Sequence, residues 1–461
     1  MTLQSFSDTI AAISTPIGIG GVSVIRISGN KTQEIVSQLC SEKKFQANHI
    51  VFTRFYNSLG DILDEGLISF FKSPHSYTGE DVAEVNCHGG YITVKQILDC
   101  IISYGARLAD KGEFTQRAFI NGKIDLLQAE SIIDIIESKT DKASTFAVQQ
   151  LEGTLSKKIT QIRSQLLEII SHLEVHLDYP EEEDLQLHTS YITQLSILSS
   201  EIENLLSTYQ TGRIFREGIL TVIVGKPNVG KSSLLNMLLE ENRAIVSDEP
   251  GTTRDTIEEW IQIEGLPFRL VDTAGLREAQ NNIEKIGIEK TREFIGKADI
   301  QIVMLDADTG IELEDQSILK DIRESTLIVI NKSDVAGNKM NKINEYLKTL
   351  SINQPSVVIS VKENTGTQEL IKKMLHLAET YISFGTIGED TALINNDRQK
   401  EKLLHAKEDI KKAIKAIEGN LPEDFWLIDL KQALTELGEI TGESVSDEIL
   451  NNIFSRFCVG K

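Results

Sequence analysis

The sequence predicts a multidomain α/β protein with an N-terminal α+β domain, a helical domain, and a domain with a mostly parallel sheet inserted into the helical one. Residues 225–232 read G-x-x-x-x-G-K-S between an apolar strand at 220–224 and a helical run at 233–239, which is the setting that a phosphate-binding loop requires. Apolar residues recur at steps of three and four on both sides of this domain, as on one face of a helix. The first 120 residues instead alternate short apolar runs with turn residues, which is typical of an α+β domain.

Four segments follow from these patterns. Residues 1–120 are expected to form the N-terminal domain, 121–217 and 381–461 the two parts of the helical domain, and 218–380 the inserted domain. A chain of 461 residues has room for about two to four domains. Because an inserted domain is held at both ends, it can move relative to its host while both connections stay intact.

The composition is that of an ordinary globular protein, with 40% hydrophobic and 25% charged residues. No apolar run approaches about 20 residues, and the first residues lack a basic region followed by an apolar core, so we expect a cytoplasmic protein. The four cysteines have no metal-ligand spacing, which favours reduced thiols. A formal net charge of −22 argues against a broad basic surface, so an RNA substrate would need a local basic patch or a partner.

The N-terminal domain is predicted to contain a substantial sheet. Its apolar runs lie at 22–27, 50–52, 66–71 and 82–87. Around the last run, Glu84, Asn86 and His88 alternate with apolar residues, so the three share one face of a strand. A solvated strand face is the more common reason for such a pattern, and a ligand-binding face is the alternative.

The helical domain is predicted from one long apolar stripe, at Leu151, Leu155, Ile159, Ile162, Leu166, Ile169 and Leu173. The acidic run at 179–184 is expected to be a solvated loop, and a second helix follows near 190–209. Ser446 is a good N-cap for a final helix. Beyond it, Cys458 has two open interpretations, an ordinary exposed or packed thiol and, less often, a catalytic group.

In the inserted domain, strands are predicted to begin at 220, 268, 300, 327 and 357, with ligands at their carboxyl ends. After the first strand, backbone N–H groups would surround the β- and γ-phosphates of a nucleotide, and the helix dipole would add to their attraction. Lys231 would supply a positive charge, and Ser232 a hydroxyl ligand for Mg²⁺. A chance match of eight residues is the alternative, and the order of strand, loop and helix argues against it.

Two further motifs follow later strands. Asp272 opens D-T-A-G, which places a carboxylate near the Mg²⁺ shell and a glycine N–H near the γ-phosphate. Asp334 closes N-K-S-D, and its carboxylate can accept both N–H groups of the guanine edge, which adenine does not offer. Residues 360–362 are placed to lie behind the base. The sequence therefore predicts a guanine-nucleotide site.

The residues that would drive hydrolysis are less regular. The segment at 251–255 would supply Thr253 to Mg²⁺ when the γ-phosphate is present. Many small GTPases position the attacking water with a glutamine where this chain has Leu276. Because leucine does not orient water, Arg277, Glu284 or Asn228 must act instead, or a bound monovalent cation must replace an arginine finger. Arg277 and Glu284 could equally be exposed residues of a mobile segment.

Three motifs and five N-terminal segments point together to one family. The motifs are G-K-P-N-V-G-K-S at 225–232, D-T-A-G-L-R-E at 272–278 and C-V-G-K at 458–461. The N-terminal segments are 20–22, 26–29, 77–81, 112–114 and 117–119. Together they closely resemble the MnmE family, also called TrmE, of tRNA modification GTPases. The similarity covers essentially the full chain and is far more specific than a phosphate-binding loop alone.

The resemblance implies a cytoplasmic homodimer that works with an FAD-containing partner, MnmG. The enzyme would add an aminomethyl or carboxymethylaminomethyl group to carbon 5 of the wobble uridine, U34, of certain tRNAs. Its one-carbon donor would be 5-formyl- or 5,10-methylene-tetrahydrofolate. By position, the folate-binding residues would be Arg26, Glu84, Lys123 and Lys461, and a carboxylate at Glu84 can accept two hydrogen bonds from a pterin edge. Cys458 matches a cysteine that the family needs for tRNA modification.

The same resemblance implies that two GTPase domains pair when K⁺ and GTP bind, with Glu284 and Arg277 acting in hydrolysis. The K⁺ ligands would be Asn228, Ser247, Glu249 and Thr252, and the Mg²⁺ ligands Ser232 and Thr253. The GTP-binding residues would be Asn228, Val229, Gly230, Lys231, Ser232, Ser233, Ser247, Asp248, Glu249, Pro250, Gly251, Thr252, Thr253, Asp272, Thr273, Ala274, Gly275, Asn331, Lys332, Asp334, Ser360, Val361 and Lys362. Val361 and Val459 replace a frequent alanine and a frequent isoleucine of the family, and both keep the apolar character.

A GTP-dependent assembly or switch protein, such as a ribosome-maturation factor, is the rival interpretation. The GTPase motifs are shared by both classes and do not separate them. The ends of the chain do, because an assembly factor has no need for a folate pocket or for a cysteine at position 458.

Overall fold

A computed structural model describes residues 7–40, 45–178, 185–241, 258–272, 293–337, 339–382 and 391–461. Contacts divide the chain into two compact units. The first comprises Met1–Ile136, Gln150–Glu181 and Glu423–Lys461, and the second comprises Glu137–Gln149 and Glu182–Pro422. Because these units are defined by contacts, the expected domain boundaries near 120, 217 and 380 stay predictions. Among the helices that the structure describes, none combines the length and the hydropathy needed to cross a membrane.

The first unit contains a six-stranded sheet in the order β3-β4-β5-β2-β1-β6. Its strands are β1 (Ile10–Ile13), β2 (Gly20–Ser28), β3 (His49–Tyr56), β4 (Ile62–Phe71), β5 (Val82–Gly89) and β6 (Arg107–Leu108). The pairing is antiparallel except between β1 and β6, which are parallel. The four predicted apolar runs form β2 to β5, whereas β1 and β6 were not predicted because they are very short.

One face of this sheet is buried, and the other carries polar groups. Helices α1 (Thr32–Leu39) and α2 (Tyr91–Ser103) share an apolar core with Ile25, Ile68 and Val85 of the strands. Neighbouring positions on a strand point to opposite faces. Arg26 of β2, which is paired with Glu84 of β5, therefore lies on the face away from this core.

Besides α1 and α2, the described helices of the first unit include α3 (Glu113–Ile120), α4 (Leu126–Glu137), α6 (Thr154–Asp178), α14 (Glu423–Thr441) and α15 (Asp447–Phe454). Helix α6 packs against α14, and the predicted apolar stripe from Leu155 to Leu173 is buried along α6. The stripe was predicted to begin at Leu151, but that residue ends a separate helix, α5 (Asp141–Leu151). Ser446 occupies the N-cap position of α15, as predicted, but its side chain makes no capping hydrogen bond. The acidic run at 179–184 lies outside the described residues.

The second unit contains a six-stranded sheet in the order β12-β11-β10-β7-β9-β8. Its strands are β7 (Ile219–Val224), β8 (Glu258–Ile263), β9 (Leu266–Asp272), β10 (Ile300–Asp306), β11 (Thr326–Asn331) and β12 (Ser356–Val358). The five predicted strands are parallel, which confirms the mostly parallel sheet. The edge strand β8 was not predicted; it is antiparallel to β9.

In the described part of the second unit, the helices include α7 (Leu185–Ser207), α8 (Tyr209–Glu217), α9 (Lys231–Glu241), α10 (Leu313–Lys320), α11 (Lys339–Thr349), α12 (Thr367–Glu379) and α13 (Asp397–Glu418). Helices α7 and α13 pack against each other. Strands β7, β10 and β11 are buried along their whole length, because apolar clusters cover both faces of the sheet. The predicted combination of an α+β sheet, helical regions and a mostly parallel sheet is thus observed.

Candidate functional site

The phosphate loop connects the end of β7 to the start of α9. Gly230 has a φ of 99°, and a Cβ atom at this position would lie only 2.5 Å from Nδ2 of Asn331. Glycine is therefore the residue that fits, because it allows both this backbone conformation and the close approach. Asn228, the candidate K⁺ ligand, is exposed and also has a left-handed conformation, with a φ of 63°.

Lys231 lies against the main chain of its own loop. Its Nζ donates to the carbonyl oxygens of Gly225 at 3.0 Å and Lys226 at 2.8 Å, and the residue is 7% exposed. The ammonium group is thus positioned at the loop that would surround the phosphates. Of the other predicted loop residues, Val229 is buried and Ser233 is exposed.

Ser232 and Asp272 supply adjacent oxygen atoms at the carboxyl ends of β7 and β9. The hydroxyl of Ser232 donates to Oδ2 of Asp272 at 2.6 Å. Hydroxyl and carboxylate oxygens are ligands that suit Mg²⁺. The pair therefore fits the predicted role in holding the ion of a bound Mg²⁺-nucleotide.

Asn331 joins three loops of the site. It is 3% exposed, its Nδ2 donates to the carbonyl oxygen of Val229 at 2.8 Å, and its Oδ1 accepts from the N–H group of Val361 at 3.1 Å. The residue at the start of the N-K-S-D motif thus fixes the phosphate loop and the 360–362 loop relative to each other.

Asp334 is prepared to act as a hydrogen-bond acceptor. Ser360 Oγ donates to its Oδ1 at 2.7 Å. This hydrogen bond, with smaller effects from Lys362 and Lys332, holds the pKa of Asp334 below its ordinary value. Oδ2 accepts no hydrogen bond from another residue in the described ranges, so the ionised carboxylate can accept from a guanine edge.

Asp306 is a site residue that sequence reasoning missed. It ends β10, is 3% exposed, and accepts a hydrogen bond from Nζ of Lys332 at 2.7 Å. Burial raises the pKa of Asp306, but the hydrogen bonds from Lys332 and from backbone N–H groups lower it further, so its pKa lies below the ordinary value. The signal was available, because Asp306 ends a parallel strand just as Asp272 and Asn331 do.

Several predicted residues lie outside the described residues. They are Ser247, Asp248, Glu249, Pro250, Gly251, Thr252, Thr253, Thr273, Ala274, Gly275, Arg277 and Glu284. Among the candidate ligands, this leaves Ser232 for Mg²⁺ and Asn228 for K⁺ as the residues that the structure places.

A second group of predicted residues meets in the first unit. Arg26 donates from Nε at 3.1 Å and Nη2 at 2.9 Å to Oε1 of Glu84. Its guanidinium also lies 5.1 Å from the ring centre of Tyr77 and 5.7 Å from that of Phe114. Oε2 of Glu84 accepts no hydrogen bond from the part of the chain that the structure describes. It therefore fits the role of an acceptor for a pterin edge.

The chain end joins this group. Arg26 Nη1 donates to the carbonyl oxygen of Gly460 at 3.4 Å, and Lys461 Nζ lies 5.9 Å from the ring centre of Tyr77. Burial lowers the pKa of Lys461, the charge of Arg26 lowers it further, and Glu84 opposes both. Arg26, Glu84 and Lys461 thus lie in one group, and their predicted role in folate binding stays a prediction.

Lys123 and His88 have other partners. Lys123 Nζ donates to the carbonyl oxygen of Pro74 at 3.0 Å, so it is not held in the group around Arg26. His88 is exposed and bonds through Nδ1 to Oδ1 of Asp64 at 2.7 Å. For His88, the solvated strand face is therefore the interpretation that the structure supports.

Cys458 is an exposed free thiol. Its position is set by the main chain, because its carbonyl oxygen accepts from the N–H groups of Gly112 at 3.5 Å and Lys461 at 3.4 Å. Cys40, Cys87 and Cys100 are likewise in no disulfide.

The parallel sheet, the phosphate loop and the guanine-recognition motif define a P-loop GTPase. Comparison with known families then narrows the class. The model of the "MnmE helical domain" matches residues 126–458, and the model of the "GTP-binding protein TrmE N-terminus" matches residues 9–123. The chain therefore belongs to the MnmE family of tRNA modification GTPases.

Individual relatives agree with this assignment. The tRNA modification GTPase MnmE of Acetivibrio thermocellus is 45% identical over 462 residues, which cover 98% of this chain and 99% of that protein. The protein of the same name from Clostridioides difficile is 44% identical over 465 residues, with the same coverage. Among solved structures, Era of Aquifex aeolicus bound to GDP and AlF4⁻ covers 41% of this chain and 65% of its own, with 26% identity and a TM-score of 0.28.

Proposed function

We propose that this GTPase acts in the cytoplasm on the wobble uridine U34 of certain tRNAs, together with an FAD-dependent partner of the MnmG type. The reaction adds an aminomethyl or carboxymethylaminomethyl group to carbon 5 of the base, with 5-formyl- or 5,10-methylene-tetrahydrofolate as the one-carbon donor. One observation carries the proposal: a guanine-nucleotide site and the group of Arg26, Glu84 and Lys461 occur in the same chain.

In the nucleotide site, the residues of this chain bind the phosphates, neutralise their charge and orient the guanine base. Backbone N–H groups and Lys231 hold the phosphates, and Asp334 selects guanine. Ser232 and Thr253 would hold Mg²⁺, and Asp272, which accepts a hydrogen bond from Ser232, would support them. When bound, Mg²⁺ supplies electrostatic stabilisation of the charge that develops on the phosphates.

Leu276 leaves the attacking water without a glutamine to orient it. We assign that role to Glu284, with Arg277 in the same segment, and the K⁺ site to Asn228, Ser247, Glu249 and Thr252. The exposure of Asn228 supports the assignment, because a cation there is accessible to a second GTPase domain. K⁺ would supply positive charge in the place of an arginine finger.

In the first unit, Glu84 would bind the pterin edge of the folate, and Arg26 holds Glu84 in place. Lys461 and Lys123 are positively charged groups suited to the carboxylates of the folate tail. Cys458 lies three residues from Lys461 in the sequence and is exposed, which supports a part in the modification reaction.

Exposed apolar residues at the β3 edge of the N-terminal sheet support a homodimer. Ile50 is 66% exposed and Phe52 is 67% exposed, on the edge strand β3. Leu67, opposite Phe52, is 40% exposed. Exposed apolar groups of this kind mark interaction surfaces when they are contiguous, and a second copy of the chain would cover them.

Folate binding is the experiment that tests the proposal. We expect calorimetric titration with 5-formyl-tetrahydrofolate to give saturable binding, weakened by about tenfold or more in Glu84→Gln, since a tenfold change needs only about 1.4 kcal/mol. Glu65→Gln, an exposed carboxylate on β4, is the matched control. Absence of binding to the unaltered protein, with GTP turnover intact, would instead favour a GTP-dependent assembly factor.

A further inference from the structure

Residues 306–315 contact both halves of the nucleotide site. This bridging segment runs from the last residue of β10 through the loop into the first turn of α10. Thr309 and Glu312 accept hydrogen bonds from Lys226 of the phosphate loop, and Asp306 accepts one from Lys332 of the guanine-recognition motif. Lys226 occupies a variable position of the phosphate-loop pattern, so no motif assigns these contacts.

Lys226 is held at both its side chain and its main chain. Its Nζ lies 2.6 Å from Oγ1 of Thr309, 2.7 Å from Oε2 of Glu312 and 3.2 Å from Oδ2 of Asp315. Its carbonyl oxygen accepts from Nζ of Lys231 at 2.8 Å. A displacement of Lys226 would therefore move an acceptor of the lysine that faces the phosphates.

Asp315 makes this contact a buried ion pair. Its side chain is 0% exposed, and that of Lys226 is 7% exposed. Oδ2 also accepts from the N–H group of Glu312 at 2.9 Å, in a capping box at the start of α10. Oδ1 is buried without a hydrogen-bond partner in the described ranges. Lys226 thus compensates the buried carboxylate of Asp315. Loss of Lys226 would be strongly unfavourable, because it would leave a buried charge without its partner.

Asp306 provides the contact on the other side. Oδ2 accepts from Lys332 at 2.7 Å, while Oδ1 accepts from the N–H groups of Asp308 at 2.8 Å and Thr309 at 3.4 Å. Thr309 is also the residue whose hydroxyl meets Lys226. A continuous set of contacts therefore runs from Lys332 through Asp306 and Thr309 to Lys226.

We infer that the bridging segment positions the phosphate loop and the guanine-recognition motif as one unit, anchored by Lys226 and Asp315 on the phosphate side and by Asp306 on the base side. These three are positioning residues, since they act through Lys231 and Lys332. The inference rests on the guanine-nucleotide binding in the proposed function. It adds a structural reason why contacts to the phosphates and to the base depend on each other.

The first test is the affinity for mant-GDP, a fluorescent GDP, in the full-length protein. Lys226→Met removes the charge and keeps most of the side-chain volume. We expect the dissociation constant to rise by about tenfold or more, because the uncompensated Asp315 displaces the loop. Lys226→Arg, which keeps the charge, should recover most of the affinity. Equal affinity in Lys226→Met and the unaltered protein would overturn the inference.

Loss of stability alone is separated by a control in the same unit. Arg213→Met breaks a comparable ion pair, in which Nη2 lies 2.6 Å from Oδ1 of Asp299, at the opposite ends of β7 and β10. Thermal denaturation without nucleotide should show similar losses for Arg213→Met and Lys226→Met, whereas only Lys226→Met should weaken mant-GDP binding. Equal weakening in both variants would mean that the effect is general destabilisation and would overturn the inference.

A double-mutant cycle tests the link across the segment. Lys226→Met and Asp306→Asn are measured singly and together, because coupled residues give non-additive effects. We expect the combined loss in affinity to be smaller than the product of the single losses, by about threefold or more. A multiplicative result would overturn the link. Failure of the unaltered protein to bind mant-GDP would contradict the proposed function itself, so the two failures are distinguishable.

Discussion

The side-chain amide of Asn331 donates to the carbonyl oxygen of Val229 at 2.8 Å, which ties the guanine-recognition motif to the phosphate loop. The same side chain accepts from the N–H group of Val361 at 3.1 Å. Asn331 therefore fixes the positions of two other loops of the site through hydrogen bonds to their main-chain groups.

Replacing Asn331 by alanine should weaken nucleotide binding. The change leaves two main-chain groups without their partners, at a cost of about 1–3 kcal/mol for each buried unsatisfied group. We expect the dissociation constant for mant-GDP to rise by roughly tenfold or more. Asn204→Ala, at an exposed position of α7, is the control. Unchanged affinity in Asn331→Ala would show that the loops hold their positions without it.

GTP turnover should depend on the monovalent cation. We expect strong stimulation in KCl relative to NaCl at matched ionic strength, with a rate per molecule that rises with protein concentration, because the cation would stand in for an arginine finger between paired domains. Asn228→Ala should abolish the stimulation. Equal turnover in both salts would mean that another residue or an external activator compensates for Leu276.

The ion pair of His88 and Asp64 should contribute to stability only between the two pKa values of its members. The hydrogen bond and charge of Asp64 raise the pKa of His88. Burial raises the pKa of Asp64, but hydrogen bonds from His88 and Glu65 outweigh it and leave the pKa lowered. The histidine contribution to stability is fully present below its ordinary pKa, about 6.5, and is lost as the pH rises through the raised value. The carboxylate contribution is lost as the pH falls through its lowered value.

Nuclear magnetic resonance titration of the His88 ring measures this effect directly. In Asp64→Asn, the pKa of His88 should fall towards its ordinary value. Asp110→Asn, which changes a carboxylate whose side chain is 91% exposed, is the control and should leave the pKa of His88 unchanged. A His88 pKa that is the same with and without Asp64 would contradict the pairing.

The buried Arg117 should be important for the stability of the first unit. It is 0% exposed and lies 2.7 Å from Asp8, 3.1 Å from Glu80 and 2.9 Å from Glu113. Arg117→Met removes the partner common to all three carboxylates, although Asp8 and Glu113 still pair with Arg107. The loss of the buried charge partner should cost about 3–5 kcal/mol. Arg54→Met, in an exposed pair with Glu65 at 3.5 Å, should cost at most about 1 kcal/mol. Thermal and denaturant unfolding compare the two variants, and similar losses would refute the burial argument.

A negative charge in place of Phe52 should prevent self-association of the protein. Phe52 is 67% exposed on β3, and Phe52→Glu would place a carboxylate where the proposed dimer buries apolar surface. Sedimentation should then show a monomer at concentrations where the unaltered protein is dimeric. Gln96→Glu is the control, because it adds the same charge at an exposed position of α2. An unaltered dimer in Phe52→Glu would place the interface elsewhere.

Most of the parallel sheet could be predicted from the sequence, because strands covered on both faces read as continuous apolar runs. Strand β8 escaped prediction, since the half-buried Glu258, Trp260 and Gln262 alternate with the apolar Ile261 and Ile263. The sequence motifs also located Lys231, Ser232 and Asp334, because the residue spacing within each motif is local. Lys226 and Thr309 are 83 positions apart, and no local pattern records a contact of that range.

The group around Arg26 also depends on contacts between residues that are far apart in the sequence. The alternation of Glu84 with apolar neighbours predicts only a strand with one polar face. Its pairing with Arg26 depends on the order of strands in the sheet, and its closeness to Lys461 depends on the path of the whole chain. Family resemblance could suggest this group, whereas periodicity could not.

The hydrogen bond from Arg26 to Gly460 spans 434 positions, and this has a consequence for how the protein is made. The strands β1 to β6 end at Leu108, so the sheet can form while the ribosome is still translating the rest of the chain. Gly460 fits because, with a φ of 94°, a Cβ atom there would lie 2.4 Å from the carbonyl oxygen of Ile13. The group around Arg26 is therefore complete only after residue 460 has been translated, and a chain released before that point would fold its sheet but lack the contact with Gly460.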